Sequence, residues 1–379
     1  MTQLKSMQFL VAPDSFKGSL SALEAGVTIQ EAVLAEMPNA AVHVIPMADG
    51  GEGTVDAFLY ATAGERVTLN ATGPQGERME TFYGVLGDGK TVVLEMAAIA
   101  GLMLVPNEKR NVFNLTTFGV GECILHALNA GYRKFIIGIG GSATNDGGLG
   151  MLQALGVSFK DSSNHEVSPF ARSLREVASV DFGNLDHRLS DCEIRVACDV
   201  DNPLYGSTGA SQVFGPQKGA TPAQVEQLDR ALEGYAAVVE RHLGQSYNDH
   251  PGAGASGGLG FALLAIGAQL VSGAEIIAEA AGLEQKLVKA DWLITGEGRT
   301  DSQSLRGKVP FFLAELAKKH NVSTIVLSGS LELDLEPMYP YFGSLHSIMN
   351  GPMTLDQAIE QAKPLLYHKT RNVIRLLGK

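Results

Sequence analysis

One stretch constrains the fold more than any other: Phe135 to Gly150, which reads Phe-Ile-Ile-Gly-Ile-Gly-Gly-Ser-Ala-Thr-Asn-Asp-Gly-Gly-Leu-Gly. A short β-branched run enters a glycine-dense segment, and Leu149, Met151, Leu152 and Leu155 leave it at helical spacing. That order predicts strand, loop and helix. Glycine lets backbone N–H groups turn inward with no Cβ in the way, and a helix start adds partial positive charge, so such a loop suits a phosphate or a carboxylate.

The start of the chain repeats the device. Met7–Ala12 reads as a strand stopped by Pro13, and Ser21 with Glu24 forms a capping box for a helix reaching about Glu36. Ala41–Met47 supplies a second strand, and this βαβ unit predicts a parallel sheet with functional loops at its strand C-termini. Those loops are Pro13-Asp-Ser-Phe-Lys-Gly-Ser19 and Asp49-Gly-Gly-Glu-Gly-Thr54, the second leading into a short helix that ends near Gly64. From Arg66 the texture changes: runs near 66–71, 79–86 and 91–97, joined by Gly73-Pro74 and Gly87-Asp88-Gly89, predict an antiparallel meander. A helix near Gly119–Asn129 leads to the central loop. Beyond it come strands near Val157–Lys160 and Glu193–Cys198, with a weakly patterned polar stretch from Asp161 to Asp191 between them. A helix from about Pro222 to Leu243 and the loop Pro251–Gly260 precede an apolar helix. Strands Trp292–Thr295 and Ser323–Ser328, around a helix near Pro310–Lys319, then restore the α/β texture.

At 379 residues the chain exceeds one ordinary core. Two α/β domains are expected, one formed by residues 1–64 with 290–379 and the other by the insertion 65–289. The tripled GGxG at Gly50, Gly147 and Gly257 falls at unequal intervals, which marks similar loops and not a repeat array. A net charge of -12, with lysines and arginines scattered singly, leaves no basic stripe for nucleic acid or anionic lipid. The apolar run Leu259–Val271 is shorter than a bilayer span and contains Gly267 and Gln269, and the N-terminus lacks a cleavable signal pattern, so a cytoplasmic protein is expected. Cys123, Cys192 and Cys198 stand in no metal-ligand spacing and read as reduced, buried fillers.

Two chemistries compete for the central loop. Gly138-Ile-Gly-Gly-Ser-Ala143 fits GxGxxA after a strand, with Asp161 where a ribose-binding acid would stand, and so admits an NAD-linked oxidoreductase. Against that, Asn145, Asp146, Gly147 and Gly148 postpone the helix, and the longer loop suits a phosphate chain with a metal ion. Asp49, Glu52, Asp146, Asp199, Asp201, Glu297 and Asp301 all follow predicted strands, where carboxylates can hold a divalent cation or take a proton from a hydroxyl. Asp199 stands out because Val-Ala-Cys-Asp ends a buried strand and Asn202-Pro203 turns the chain at once. We assign it the base role, with Asp146 and Glu297 offered to the metal. Among the basic residues, Lys218 and Lys308 read first as surface lysines. Lys17 and Arg299 belong to loops of one parallel sheet and are expected to meet a substrate carboxylate. There is no HExxH, no GxSxG elbow and no GxxxxGK[ST] P-loop.

Read together, Ala12-Pro-Asp-Ser-Phe-Lys17, Ala48-Asp-Gly-Gly-Glu-Gly-Thr54, Ile139-Gly-Gly-Ser-Ala-Thr-Asn-Asp-Gly-Gly148, Ala197-Cys-Asp-Val200, Phe214-Gly-Pro-Gln-Lys-Gly219 and Ile294-Thr-Gly-Glu-Gly-Arg299 resemble the bacterial glycerate kinases that act on glycerate with ATP. Asp301-Ser-Gln-Ser304 and Gly307-Lys-Val-Pro310 continue the likeness, which covers nearly the whole chain. One departure is Thr116-Thr-Phe-Gly-Val-Gly-Glu122, where the family more often carries a hydroxyl at the positions of Phe118 and Val120. The resemblance implies a Rossmann-like lobe from both chain ends and an inserted flavodoxin-like lobe, with ATP, Mg2+ and glycerate meeting in an interdomain cleft and 2-phosphoglycerate as product. It implies Ser15, Arg299 and Asp301 around the substrate and Lys17 beside Asp199 in catalysis. Gly140, Gly141, Ser142, Thr144, Asn145, Gly147 and Gly148 would hold the nucleotide.

Overall fold

The computed structural model describes residues 6–301, 304–305 and 308–378, so Ser302, Gln303 and Gly307 of the quoted motifs lie outside the described residues. The fold is α/β, with one all-parallel sheet, one mixed sheet and a two-stranded antiparallel pair. Two compact units result. The first comprises residues 1–49, 56–63 and 274–379, and the second residues 50–55 and 64–273.

In the first unit five strands lie in the order Ser344–Ser347, Ser323–Leu331, Trp292–Thr300, Gln8–Val11, Ala41–Val44. The pairing of Phe9 with Trp292 and of Val11 with Ile294 places the two chain ends side by side. The capping box forms as read: Ser21 N–H donates to Glu24 Oε2 at 2.9 Å and Glu24 N–H to Ser21 Oγ at 3.2 Å, starting a helix over Ala22–Glu36. Its inner face, Ala25, Ile29 and Val33, joins Phe9, Val11, Ile325 and Leu327 of the sheet and Leu366, Val373 and Ile374 of the helix Ala362–Leu377. Each large aliphatic side chain so buried contributes roughly 1.5–3 kcal/mol.

In the second unit the order is Gln269–Val271, Glu193–Ala197, Lys134–Gly138, Thr91–Glu95, Arg78–Val85, Glu65–Thr72. The last three form the expected antiparallel meander, and the first four run parallel. The polar stretch after Asp161 holds a strand not anticipated, Ser179–Asp181, paired antiparallel with Ser158–Lys160. The helix Pro222–Leu243 carries a capping box at Thr221 and Gln224 and buries Leu228, Leu232 and Tyr235 in this unit's core. Among the described residues no helix is long and apolar enough to cross a membrane.

Candidate active site

Titratable groups gather where the first sheet changes direction. The chain leaves Gln8–Val11 toward Ala41–Val44 on one side and leaves Trp292–Thr300 toward Ser323–Leu331 on the other, so these neighbouring strands form a topological switch point. In open parallel sheets ligands bind outside the carboxyl ends at such a point. Asp14 and Lys17 follow one strand, and Glu297 and Arg299 belong to the other.

Glu297 and Arg299 were expected in a loop, but the strand runs on to Thr300. Its neighbour extends equally far, pairing Arg299 with Ser330, and Gly298 admits the crossing backbone: a Cβ there would stand 3.3 Å from Lys17 N. The Phe16–Lys17 turn thus lies across the strand because glycine leaves room for it.

Asp14 is nearly fully buried, and its Oδ1 accepts the Ser15 N–H at 2.6 Å. Burial first, and the Asp49 charge second, push its carboxyl up to about 7. Lys17 Nζ lies 3.0 Å from Asp49 Oδ2, and that charge holds the ammonium above its usual range. Arg299 Nε stands 3.2 Å from Asp301 Oδ2, while Lys308 Nζ is 3.8 Å from both Glu297 Oε2 and Asp301 Oδ1. Glu297 Oε1 accepts from Thr300 Oγ1 at 3.0 Å and Ser304 Oγ at 2.8 Å, yet burial still raises its pKa. Lys17, Arg299, Asp301 and Glu297 are therefore brought together with Asp49, one of the strand-end carboxylates, and with Asp14, which the sequence did not single out. Ser15 contributes its N–H to Asp14 and lies half-buried beside it.

The Asp14 shift has a measurable sign. A folded pKa of about 7 against an ordinary 3.8 means the native state binds more protons than the unfolded chain in that interval, so stability falls as pH rises through it. Asp14→Asn should therefore flatten the decline in Tm between about pH 4 and pH 7. An unchanged decline would show that Asp14 titrates normally.

In the second unit the three GGxG loops converge. Gly140 N–H donates to Gly50 O at 2.8 Å, and Gly147 N–H donates to Gly257 O at 2.9 Å. Ser256 Oγ donates to Ile139 O. A Cβ on Gly140 would lie 2.7 Å from Gly51 Cα, so glycine serves loop against loop at this position. The buried Glu95 carboxylate, at the end of its own strand, accepts Val55 N–H at 2.8 Å and Gly53 N–H at 3.4 Å and fixes the Gly50–Thr54 loop. Sequence reasoning passed over Glu95, although Val-Val-Leu-Glu95 ends a strand much as Val-Ala-Cys-Asp199 does.

These contacts divide the loop that was read whole as a ligand cradle. Gly140 is half-buried and Gly141 exposed, and the Gly141 N–H has no protein acceptor among the described residues. Ser142 is buried just behind them. Thr144, Asn145, Gly147 and Gly148 are interior: a Cβ on Gly147 would meet Tyr235 at 2.9 Å, and one on Gly148 would meet Ala262 at 2.2 Å. The exposed turn can receive an anion, and the rest anchors it.

Asp146 belongs to the anchor. It is wholly buried, its Oδ2 accepts Thr117 N–H and Oγ1–H, each at 2.8 Å, and Gly150 N–H at 3.4 Å, while Oδ1 accepts Gly148 N–H at 3.2 Å. Burial raises its pKa against those donors. Thr117, in the segment that departs from the family pattern, thus holds the central loop in place. With its lone pairs so occupied Asp146 does not fit a magnesium ligand. Glu297 sits in the other unit between two hydroxyl donors and an ammonium, and among the described residues no group of three or more His, Cys, Asp or Glu could hold a metal. The expected Asp146–Glu297 metal pair is not supported by this geometry.

Lys218 reverses its reading as a surface lysine. Only 2% exposed, its Nζ donates to Ser142 Oγ at 2.8 Å and Thr144 O at 2.7 Å. Burial pushes the ammonium down to about 7, with Asp146 opposing. Asp199 is exposed and accepts Gly273 N–H at 3.1 Å. The strands that precede Asp199 and the glycine turn pair in parallel, Gly138 opposite Ala197. Of the cysteines, Cys123 is buried, whereas Cys192 and Cys198 are only half-buried.

The dinucleotide reading loses its support here, because the helix begins only at Leu149 and Asp161 caps its own turn through Ser163 N–H and His165 N–H. The family model described as "Glycerate kinase family" matches residues 9–378. The chain belongs to the glycerate kinase family. It is 46% identical to the glycerate kinase of Bacillus subtilis (strain 168) over 97% of each chain. It is likewise 46% identical to the glycerate 2-kinase of Escherichia coli (strain K12) over 98% of each. The crystal structure of a candidate glycerate kinase 2 from Salmonella typhimurium LT2 superposes with a TM-score of 0.86 at 46% identity, covering 98% of each chain. The switch-point cluster and the interlocked glycine loops thus belong to a chain that shares its overall fold with this relative.

Proposed function

We propose that this chain transfers the γ-phosphoryl group of ATP, entering with its bound Mg2+, to the 2-hydroxyl of glycerate in the cytoplasm. One observation carries the reading: Asp199 and the exposed Gly140–Gly141 turn issue from two register-paired parallel strands, Gly138 opposite Ala197. A carboxylate able to take a hydroxyl proton therefore neighbours a backbone turn suited to phosphate. Phosphoryl transfer asks for little more than this: positioning, fixed donors toward the moving phosphoryl oxygens and a carboxylate near the nucleophile. The 2-hydroxyl is supported by the name of the E. coli relative. In this reading Ser15, Lys17, Arg299 and Asp301 receive the acid substrate, Lys17 supports catalysis, and Gly140 and Gly141 face the nucleotide, with Ser142 buried behind them.

The assay is purified protein with ATP, Mg2+ and glycerate. ADP formation, with a product whose phosphorus couples to the C2 proton, supports the proposal. No ADP at saturating substrates would sink it, and coupling to C3 would move the site of transfer. Because Lys17 and Arg299 already pair with Asp49 and Asp301, the substrate carboxylate must compete for them. Lys17→Ala and Arg299→Ala should each raise the glycerate KM by about 1.5 to 3 kcal/mol in binding terms while leaving the ATP KM close to wild type. A wild type that turns over glycerol as readily as glycerate would show that no carboxylate is being read.

A further inference from the structure

The mechanism leaves one buried charge without a task. Lys218 closes the turn Pro216–Lys218, and its ammonium is held by a hydroxyl and a carbonyl, with no carboxylate within ion-pair distance among the described residues. A cation taken out of water is costly unless an opposite charge answers it, and in a weakly polarisable interior that charge acts strongly over several ångströms. One of its partners, Ser142 Oγ, belongs to the residue that follows the exposed Gly141. The charge therefore stands directly behind the turn that faces solvent. Two side-chain acceptors on the same segment, Thr144 Oγ1 and Asn145 Oδ1, lack protein donors, so the Lys218 ammonium adds to the anchoring that Asn145 Nδ2 and the Asp146 carboxylate provide.

We propose that Lys218 is a positioning residue whose buried ammonium is the built-in counter-charge for the nucleotide phosphates at the Gly140–Gly141 turn, so that nucleotide binding is coupled to its protonation. The inference rests on the assignment of that turn to the nucleotide. The ammonium pins Ser142 and Thr144, which fixes the turn, and its field reaches phosphate through one layer of backbone. A P-loop lysine reaches phosphate by direct contact, and none is present here. Other groups facing the site are few. Asp146 of the loop opposes the effect of burial, and the Tyr235 hydroxyl lies on the packed helix Pro222–Leu243. Arg110, whose backbone lies against Gly219, turns its guanidinium to Leu102 O and Val105 O. Since burial lowers the ammonium to about 7, the lysine is largely neutral at pH 8, and phosphate binding must be accompanied by uptake of a proton from the solvent.

The test is calorimetry of ADP with Mg2+ binding at pH 8 in buffers of different ionisation heat, where the nucleotide phosphates are already deprotonated. Wild type should take up a large fraction of a proton per nucleotide, and Lys218→Met should take up none. The same variant should bind ADP roughly ten- to a hundredfold more weakly with the glycerate KM little changed, a split that loosened packing alone would not produce. The wild-type measurement needs no variant, so a Lys218→Met protein that fails to fold leaves the proposal open to refutation. Absence of proton uptake in wild type overturns it, as does uptake that persists in folded Lys218→Met. A wild type that phosphorylates glycerate yet takes up no proton sinks the lysine alone; a wild type that binds no nucleotide sinks the functional reading beneath it.

Discussion

Asp199→Asn should lower kcat by roughly 10²- to 10⁴-fold while both KM values stay close to wild type. Asparagine keeps the oxygen that accepts Gly273 N–H at 3.1 Å, so the loop after the strand Glu193–Ala197 should hold its shape. What disappears is the ability to take a proton. In the free protein the carboxylate is exposed, which suits a group that must meet a substrate and be covered by it. A role through the nucleotide's Mg2+ would leave a different trace, substantial recovery at high Mg2+ or with Mn2+. Unimpaired turnover by the variant at ordinary Mg2+ would remove both roles and leave Asp199 a cap for its own loop.

A comparably large effect is expected on stability from Gly257→Ala. A methyl group there would stand 2.1 Å from Thr144 O and 2.5 Å from Asn145 Cα, with φ at +67°, and the same residue's carbonyl receives Gly147 N–H. Neither backbone can yield without opening the loop cluster, so unfolding free energy should drop by about 3 kcal/mol or more. Gly53→Ala is the matched control: its φ is +83°, but nothing lies within 4 Å of the added atom. Dihedral strain alone should cost it only about 1 kcal/mol. Equal urea midpoints for the two variants would show that the clash is not what glycine avoids at position 257.

The elements legible in the sequence are those whose signals are local. The capping boxes at Ser21 and Thr221, the proline stop after the first strand and the turn glycines of the meander each act within a few residues. Two three-residue strands, Gln269–Val271 and Ser179–Asp181, escaped notice because they are too short to show a period and exist only through their partners. The strand Trp292–Thr300 was cut short because Gly296 and Gly298 read as a loop, whereas they are strand positions pressed against Leu327 O and Phe16. At the candidate site the loops could be seen, but which half of the central loop met solvent could not. Gly141 and Gly147 look alike in sequence and differ only in what lies across from them. Lys218 and Asp146 were misjudged for the same reason, since a charged residue next to a glycine carries no local mark of burial.

The pairing of the first strand with Trp292–Ile294 sets the order in which the protein can be made. Partners such as Ala12 and Thr295 are 283 residues apart. At ribosomal speeds of roughly 5–20 residues per second the first strand waits on the order of 15 to 60 s for its neighbour to be synthesised. The six strands of the second unit's mixed sheet all lie between Glu65 and Val271, so that sheet is complete earlier. During the interval Gln8–Val11 can pair only with Ala41–Val44 and shows one bare edge, a template for unwanted strand pairing. A nascent chain stalled before Trp292 is thus the species in which this protein is most exposed to aggregation and most in need of a chaperone.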